Sequence, residues 1–370
     1  MLGIGIIVPL LPLYARELGA TGPQLGMIFA GYGIVNTVAT PIVGRLSDLK
    51  GRKAFLCGGL LFYTLLSFSY TLISGIGQLI AIRFVQGIAG ALVFPISMAY
   101  IGDLAPENEE GKWMGYANAA FFSGFGVGPL LGGVLTEYVG RNFSFYTMGA
   151  FCLLALLITI PFLPEIKKRK TQERAKLSLK EMGASSTIRG IFTFRFVQAM
   201  GRASLTTFLP LFAANQAGLG PALTGTLLAV NMLSITLLAA PAGLLIADRF
   251  NRRTLIIAGS MLYMVSLALI PLSASFWLLI LLCIPRGIGG AISMTAASAL
   301  TVEEGRRFGM GSTMSILMMA MGIGMAIGPV AAGVISDWLS VGSTFYFGAG
   351  VIFVGTIVFS WLTRQQPTSR

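Results

Sequence analysis

The sequence predicts an all-α integral membrane protein built as two six-helix bundles. Three observations predict this fold: an apolar composition, twelve apolar runs and an internal repeat. Of the 370 residues 55% are hydrophobic and 11% are charged, whereas soluble chains carry about 25% charged residues. The lipid bilayer is therefore the expected solvent of the fold.

Twelve apolar runs follow one another along the chain. A transmembrane helix needs about 20 mostly apolar residues, and all the runs but the first come close to or exceed that length. The first offers about 13 residues at 1.5 Å each, so we expect the given sequence to begin partway through the first span. The runs lie near residues 2–13, 25–46, 54–73, 79–101, 115–137, 145–163, 191–213, 222–247, 254–273, 276–299, 310–335 and 343–363.

One long polar segment divides the runs into six and six. It covers residues 164–190 and carries eight Lys/Arg. The predicted organisation is therefore an N-terminal six-helix bundle at 1–163, a cytoplasmic basic linker at 164–190 and a C-terminal six-helix bundle at 191–370.

Lys and Arg concentrate on one side of the alternating spans. Short cytoplasmic loops carry an excess of these residues. The loops opposite the linker hold only Arg16 and Arg141, so both termini are expected in the cytoplasm. On the linker's side the C-terminus and four segments, together with the linker, hold 20 of the 26 Lys/Arg. Those segments are 44–53, 102–114, 248–253 and 301–309.

The two halves repeat at an offset of 200 residues. "PIVGRLSDLKGRK" at 41–53 aligns with "PAGLLIADRFNRR" at 241–253, and "QGIAGA" at 86–91 aligns with "RGIGGA" at 286–291. "GPLLGGV" at 128–134 aligns with "GPVAAGV" at 328–334. Homologous bundles related by an axis along the membrane normal predict a central cavity and alternating access.

The reactive side chains exclude several functions. The chain has no histidine, which excludes His-based triads, proton relays and metal sites. Cys57, Cys152 and Cys283 lie singly in apolar runs, as core residues do. The net charge of +12 lies mostly in loops beside the spans, so no nucleic-acid partner is expected. We expect no enzyme activity, no metal and no cofactor.

The segment "GRLSDLKGRK" at 44–53 resembles the loop signature of the major facilitator superfamily of secondary transporters, and the resemblance covers the whole chain. Leu49 and Lys50 shift its first basic residue by one position. The resemblance implies a cytoplasmic gate in which Asp48 latches the two bundles, while the basic residues could alternatively serve orientation alone. The implied gate residues are Gly44, Asp48, Gly51, Arg52, Lys53, Asp248 and Arg252.

Polar residues at membrane depth are candidates for proton coupling or substrate binding. "RFVQGIAGA" resembles a superfamily segment in which Arg83 modulates proton transfer or binds substrate. A mid-span arginine costs about 2.5–3.5 kcal/mol to insert, so Arg202 and Arg286 also need partners or a polar cavity, whereas Arg195 is expected to extend to the interface. Arg83, Arg202 and Arg286 favour an anionic substrate unless an acid in the first span pairs with one of them. The candidates are Arg83, Gln86, Arg202, Gln198, Arg286, Asn36, Asn118 and Asn231.

Glycine and proline mark the expected sites of close packing and bending. "GFGVGPLLGG" at 124–133 resembles a segment of antiporters, and "LGIGIIVPLLP" at 2–12 resembles the first span of twelve-span drug:proton antiporters of the tetracycline and multidrug exporter type. The residues are Pro9, Pro12, Gly87, Gly90, Gly124, Gly128, Pro129, Gly132, Gly328 and Pro329.

The resemblance implies a multi-pass transporter of the cytoplasmic membrane that uses a proton gradient to export small amphipathic molecules or drugs. Its expected partners are a small-molecule substrate and the lipid bilayer, and it is expected to work as a monomer. An exchanger or importer of organic anions is one alternative. A non-transporting sensor or a truncated inactive product is another.

Overall fold

The protein is described by a computed structural model that covers residues 1–106, 109–164, 183, 185–241, 250–273, 275–308 and 310–364. Every regular element in these ranges is helical, so the predicted all-α membrane fold is confirmed. The N-terminal half contains α1 (Leu2–Ile7), α2 (Leu10–Glu17), α3 (Gly22–Lys50), α4 (Arg52–Ser69), α5 (Ile76–Leu104), α6 (Glu110–Tyr138) and α7 (Arg141–Phe162).

The C-terminal half repeats this arrangement in the described part of the chain. Short 3-10 turns, at Tyr70–Leu72 and Ile270–Leu272, follow α4 and the equivalent α10 (Arg252–Leu269). Ten of the described helices are long and apolar enough to cross a membrane; the short α1 and α2 and the arginine-bearing α8 (Ser186–Ala217) are not among them. The helices of this half are α8 (Ser186–Ala217), α9 (Pro221–Pro241), α10 (Arg252–Leu269), α11 (Phe276–Phe308), α12 (Met310–Trp338) and α13 (Ser343–Leu362).

The first span is a broken helix that extends beyond the predicted run. Val8 and Pro9 separate α1 from α2, because proline lacks the amide donor that a continuous helix needs. The helical segment reaches Glu17, four residues past the predicted end near 13. Ile6, Ile7 and Leu11 are completely buried, since α1 packs against both α6 and α7.

Local capping signals set several helix boundaries. Thr21 and Gln24 form a reciprocal capping box at the start of α3, which satisfies backbone donors that have no partner inside the helix. Gly51 ends that helix with φ 98°, a conformation that favours glycine. Ser185 caps α8, so residues 186–190 are helical and not linker; residues 165–182 and 184 of the predicted linker lie outside the described residues.

The two bundles share one packing pattern. In the N-terminal bundle α5 packs against α3 and α4, and α4 also packs against α7. In the C-terminal bundle α11 packs against α9 and α10, and α10 also packs against α13. The repeat of 200 residues is therefore a repeat of tertiary structure.

The bundles meet along two contact zones, the α3–α12 seam and the α6–α9 seam. A Cβ at Gly22 would overlap the carbonyl oxygen of Gly333, and a Cβ at Gly26 would lie 2.5 Å from that of Pro329. A Cβ at Gly225 would overlap the carbonyl oxygen of Pro129. Both seams are therefore backbone-to-backbone contacts between helices.

Both seams are tight at only one end of the molecule. We call the end that carries segments 44–53 and 250–253 the basic end and the other the opposite end. Gly126 still lies against Leu233 near the middle of the α6–α9 seam. One turn toward the basic end, Phe122 is 41% exposed and Leu237 is 71% exposed. Among the described residues, the bundles are therefore closed at the opposite end and separate along the α6–α9 seam toward the basic end.

Replacing Gly225 by alanine is expected to weaken the closed end, because the new Cβ must push the backbone of α6 away. Spin labels at the exposed positions 138 and 223, in a chain whose cysteines are replaced by serine, should report a longer distance. The same change at Gly58, which is exposed and has no neighbour within 4 Å, should leave the distance unchanged. An unchanged distance for Gly225→Ala would show that the seam accommodates a methyl group without separating the helices.

Candidate transport site

The predicted gate residues make ion pairs within each bundle. Arg52 contacts Asp48 at 3.0 Å and Asp103 at 2.9 Å. In the C-terminal bundle, Arg252 contacts Glu303 at 2.8 Å, which repeats the Arg52–Asp103 pair 200 residues later. These pairs lie inside one bundle each, and among the described residues the structure gives Asp48 no ion pair with the other bundle.

The structure places the remaining predicted gate residues in different surroundings. A Cβ at Gly44 would meet nothing within 4 Å, so no described helix makes the close approach expected there in this conformation. Gly51 forms the turn between α3 and α4, and Lys53 lies in the first turn of α4. Asp248 lies outside the described residues.

Arg83 is buried among neutral partners. It is 5% exposed, its Nε donates to the carbonyl oxygen of Ile28 at 3.0 Å, and its Nη1 donates to Oε1 of Gln86 at 2.6 Å. The hydroxyl of Tyr70 donates to the same Gln86 oxygen at 2.7 Å. The guanidinium lies 4.8 Å from the ring centroid of Tyr32, a favourable cation–π geometry.

Arg286 has a similar environment in the C-terminal bundle. It is 1% exposed, and its guanidinium donates to Oδ1 of Asn231 at 2.5 Å and to the hydroxyl of Tyr263. The amide nitrogen of Asn231 donates to the carbonyl oxygen of Cys283 at 3.2 Å. In the described part of the chain, neither Arg83 nor Arg286 has a carboxylate partner. Both are held by oxygens and rings of neutral residues, and neither lines an open surface.

Two other arginines lie together in a cleft between α8, α11 and α12. Arg202 is half-buried and lies at the midpoint of the 32-residue α8, about 24 Å from each end. Arg195 donates to Oγ of Ser298 at 2.9 Å and contacts Sδ of Met294 at 3.4 Å. It therefore turns toward α11 instead of extending to the interface as expected. The cleft is lined by Arg195, Gln198, Ala199, Arg202, Met294, Met321 and Met325.

The asparagine candidates do not share this cleft. Asn36 donates to the carbonyl oxygen of Gly87 at 3.3 Å and belongs to the packing of α3 on α5. Asn231 is completely buried against Arg286. Asn118 lies on α6, and its side chain is outside the described part.

The predicted glycine positions lie at several helix contacts. On α6, a Cβ at Gly128 would lie 2.6 Å from Cα of Gly5, and Gly124 and Gly132 face the same helix α1. The structure therefore places this glycine stripe inside the N-terminal bundle. Elsewhere Gly87 and Gly90 pack against α3, and Gly328 packs against α8.

The proline positions fall into two groups. Pro9 separates α1 from α2, and Pro12 is buried in α2. Pro129 and Pro329 lie in helices that continue without interruption. Their carbonyl oxygens face Gly225 and Gly26 across the two seams.

A family model described as Major Facilitator Superfamily matches residues 1–196 and again residues 191–370. The chain belongs to the major facilitator superfamily. It is 30% identical to an uncharacterized MFS-type transporter of Methanocaldococcus jannaschii over 98% of this chain and 95% of that protein. It is 27% identical to the quinolone resistance protein NorA of Staphylococcus aureus over 96% of this chain and 92% of that protein.

Solved structures of superfamily members have the same fold. A nucleoside transporter, NupG, superposes with a TM-score of 0.80 at 15% identity, over 98% of this chain and 97% of that chain. A bacterial homologue of the human lysosomal transporter Spinster, in an inward-facing and occupied conformation, gives a TM-score of 0.80 at 14% identity, over 99% and 94%. This superfamily member is therefore a multi-pass membrane transporter of a small molecule and not an enzyme.

Two carboxylates connect the bundles of this superfamily member, and neither belongs to the predicted site residues. Both carboxylate oxygens of Asp337, at the end of α12, accept the backbone N–H of Gly22 at 2.9 Å. Oε2 of Glu137, at the end of α6, accepts the backbone N–H of Ala222 at 2.8 Å. The two accepting acids are related by the offset of 200 residues, and so are the two donors Gly22 and Ala222, which is the signal that could have identified them.

Removing the partner of Arg286 is expected to destabilise the protein more than removing the charge itself. Asn231→Ala leaves a buried guanidinium short of one acceptor, a loss of about 1–3 kcal/mol, whereas Arg286→Met fills the space without a charge. Thermal unfolding in detergent should give a lower Tm for Asn231→Ala than for the Asn231→Ala, Arg286→Met pair. Equal Tm values for the two would show that the guanidinium left without its acceptor does not destabilise the protein.

Proposed function

We propose that this transporter exports small amphipathic molecules in exchange for protons, by alternating access. One observation carries the proposal: the bundles are closed at the opposite end and separated toward the basic end. A cleft lined by arginines and methionines lies on the side of the basic end. A midplane site between two repeated bundles is the arrangement that alternating access requires.

Orientation follows from the distribution of charge. Lys and Arg concentrate in the loops of the basic end, and such loops face the cytoplasm. In this proposal the protein lies in the cell membrane with its basic end and both termini on the cytoplasmic side. The described conformation is then open toward the cytoplasm. A cleft at mid-membrane depth is then reached from the cytoplasm, as an exporter requires for loading its substrate.

Export of drug-like molecules is supported by two similarities. The relative from Staphylococcus aureus is named a quinolone resistance protein, and "GFGVGPLLGG" resembles an antiporter segment. The cleft supplies both kinds of contact that an amphipathic molecule needs, since Met294, Met321 and Met325 are apolar and polarisable and two arginines supply charge.

Closure of the basic end would rearrange the gate ion pairs. Arg52 now pairs with both Asp48 and Asp103 inside one bundle. A carboxylate placed at a helix N-terminus or arginine of the other bundle gains roughly 0.3–2 kcal/mol, which shifts a two-state equilibrium without locking it. A proton gradient supplies the energy in this proposal, and one chain forms the complete transport path.

A second candidate function is exchange or import of organic anions. The observation that favours it is the pair of arginines in the cleft, since the acidic residues of the sequence lie near helix ends or in polar segments. This candidate differs from proton-coupled export in direction and in its independence of a pH gradient.

Transport into inverted membrane vesicles tests the proposal. An acid interior should drive accumulation of fluorescent amphipathic dyes, a protonophore should abolish it, and Asp48→Asn should slow it because the gate loses its carboxylate. Glu17→Gln, which changes an exposed carboxylate that pairs with Arg141 inside the N-terminal bundle, should transport at the original rate.

Absence of gradient-driven uptake for cationic dyes, neutral dyes and labelled organic anions alike would overturn the proposal. Anion uptake that needs a counter-anion inside the vesicle, and that ignores the pH gradient, would favour the exchanger.

A further inference from the structure

We propose that the cleft between α8, α11 and α12 binds the anionic group of its substrate, so that the substrates are amphipathic anions. This inference rests on the proposed transport function and names the substrate class of the same site. The inference starts from the charges in the described membrane-spanning helices, whose central turns carry arginines but no Asp or Glu.

The two cleft arginines lack anionic partners among the described residues. Arg195 and Arg202 lie seven residues apart on one face of α8, about 10 Å along its axis. Arg195 is held by the neutral Ser298 and Met294, and its Nε is buried without a partner. Each described Asp or Glu lies in the first or last two turns of a helix or in a loop, far from the midpoint of α8.

A guanidinium away from bulk water is stabilised most by an acceptor that carries negative charge. Carboxylate, sulfonate and phosphate groups match its planar set of donors and can bind two N–H groups at once. A cationic ligand in the same cleft would lie beside two positive charges. The charge of the cleft therefore favours an anion and disfavours a cation.

The rest of the cleft is apolar. Met294, Met321, Met325 and Ala199 line it beside the arginines, and thioether side chains adapt their shape to varied apolar groups. The free volume of the cleft in this conformation is about 10 Å³, room for about one water molecule, so a ligand enters only when these side chains move apart. The chemistry of the lining, and not its present size, matches a molecule with one acidic group and a hydrophobic frame.

Equilibrium binding of N-dansylglycine and of its neutral methyl ester tests the substrate class. With the purified full chain in lipid nanodiscs, the carboxylate should bind at least about tenfold more tightly than the ester, since a desolvated charged hydrogen bond has that effect. Arg202→Gln should abolish the preference, and Arg202→Lys should keep part of it. Arg364→Gln, which removes an exposed positive charge at the end of the described chain, should bind as the unmodified protein does.

Equal binding of acid and ester would overturn the anion proposal, and so would an anion preference that survives both Arg195→Gln and Arg202→Gln in monodisperse protein. Either result leaves proton-driven export of uncharged or cationic molecules intact. Conversely, tight anion binding without gradient-driven transport would overturn the exporter and not the binding site.

A different observation carries a second inference. We infer that Glu137 and Asp337 form a duplicated latch that holds the two bundles closed at the opposite end. Each acid lies at the last turn of one helix and accepts an N–H from the first turn of a helix in the other bundle. The N-terminal turn of a helix carries unpaired N–H groups and a positive partial charge, so a carboxylate is favoured there.

The two contacts are equivalent by the internal repeat. Asp337 on α12 reaches the start of α3, and Glu137 on α6 reaches the start of α9, so each seam ends in one such contact. Because donor and acceptor belong to different bundles, both contacts must break when this end opens. The latch therefore stabilises the closed opposite end and lets the basic end open.

Alkylation of a cysteine buried in the closed seam measures opening of this end. Ala30→Cys places a thiol at a position that is 2% exposed between Gly26 and Gly33, in a chain whose native cysteines are replaced by serine. The rate of reaction with a membrane-impermeant maleimide, added on the extracellular side, is proportional to the open population.

Glu137→Gln and Asp337→Asn should each raise that rate about two- to fivefold, as expected for one carboxylate at a helix N-terminus, and the double variant should raise it by about the product. Glu17→Gln removes a carboxylate at the same end that pairs inside one bundle, and it should leave the rate unchanged. An unchanged or lower rate in the double variant would overturn the latch.

Discussion

The conformation of this protein depends on direct backbone contact between its two bundles along the α3–α12 and α6–α9 seams. Side chains cannot fit at Gly22, Gly225 and Gly333 without separating the helices. Close-packed interfaces of this kind do not stretch gradually, since helices either interlock at backbone distance or separate. The cleft itself lies inside the C-terminal bundle, where α12 contributes both to its lining and to the α3–α12 seam.

Charge is arranged differently at the two ends of the molecule. At the basic end the ion pairs Arg52–Asp103 and Arg252–Glu303 lie inside their own bundles. At the opposite end Glu137 and Asp337 contact backbone groups of the other bundle. The two ion pairs at the basic end are thus compatible with separated bundles, while the Glu137 and Asp337 contacts are compatible only with closed bundles. The polar contacts and the seams therefore favour the same conformation.

The sequence was sufficient to predict the fold because hydropathy and the 200-residue offset are local or linear signals. It also identified Arg202 and Arg286 as polar groups at membrane depth. The sequence could not identify the residues that surround the buried arginines. Arg286 is enclosed by Asn231 and Tyr263, and Arg195 turns toward Met294 and does not reach the interface. Such partners lie on other helices, and periodicity gives the face of a helix without naming the neighbour that covers it.

The latch shows a different limit of sequence reasoning. The 200-residue offset relates Glu137 to Asp337, so the pair was visible in the sequence. Their partners are backbone N–H groups of Gly22 and Ala222, and every residue except proline has such a donor. Only the tertiary fold selects the N–H groups that lie within reach, because it brings the start of one helix against the end of another.

The cleft proposed to bind substrate and the contact between the bundles are linked through α12. Met321 and Met325 of this helix line the cleft, while the adjacent Gly322 lies against Thr37 of α3 in the seam. A ligand can shift a conformational equilibrium only by binding one state better than the other. Because the same turn of α12 contacts both the ligand site and the opposing bundle, any displacement of α12 during closure changes the cleft. Coupling between ligand binding and bundle closure therefore needs no residues beyond this turn of α12.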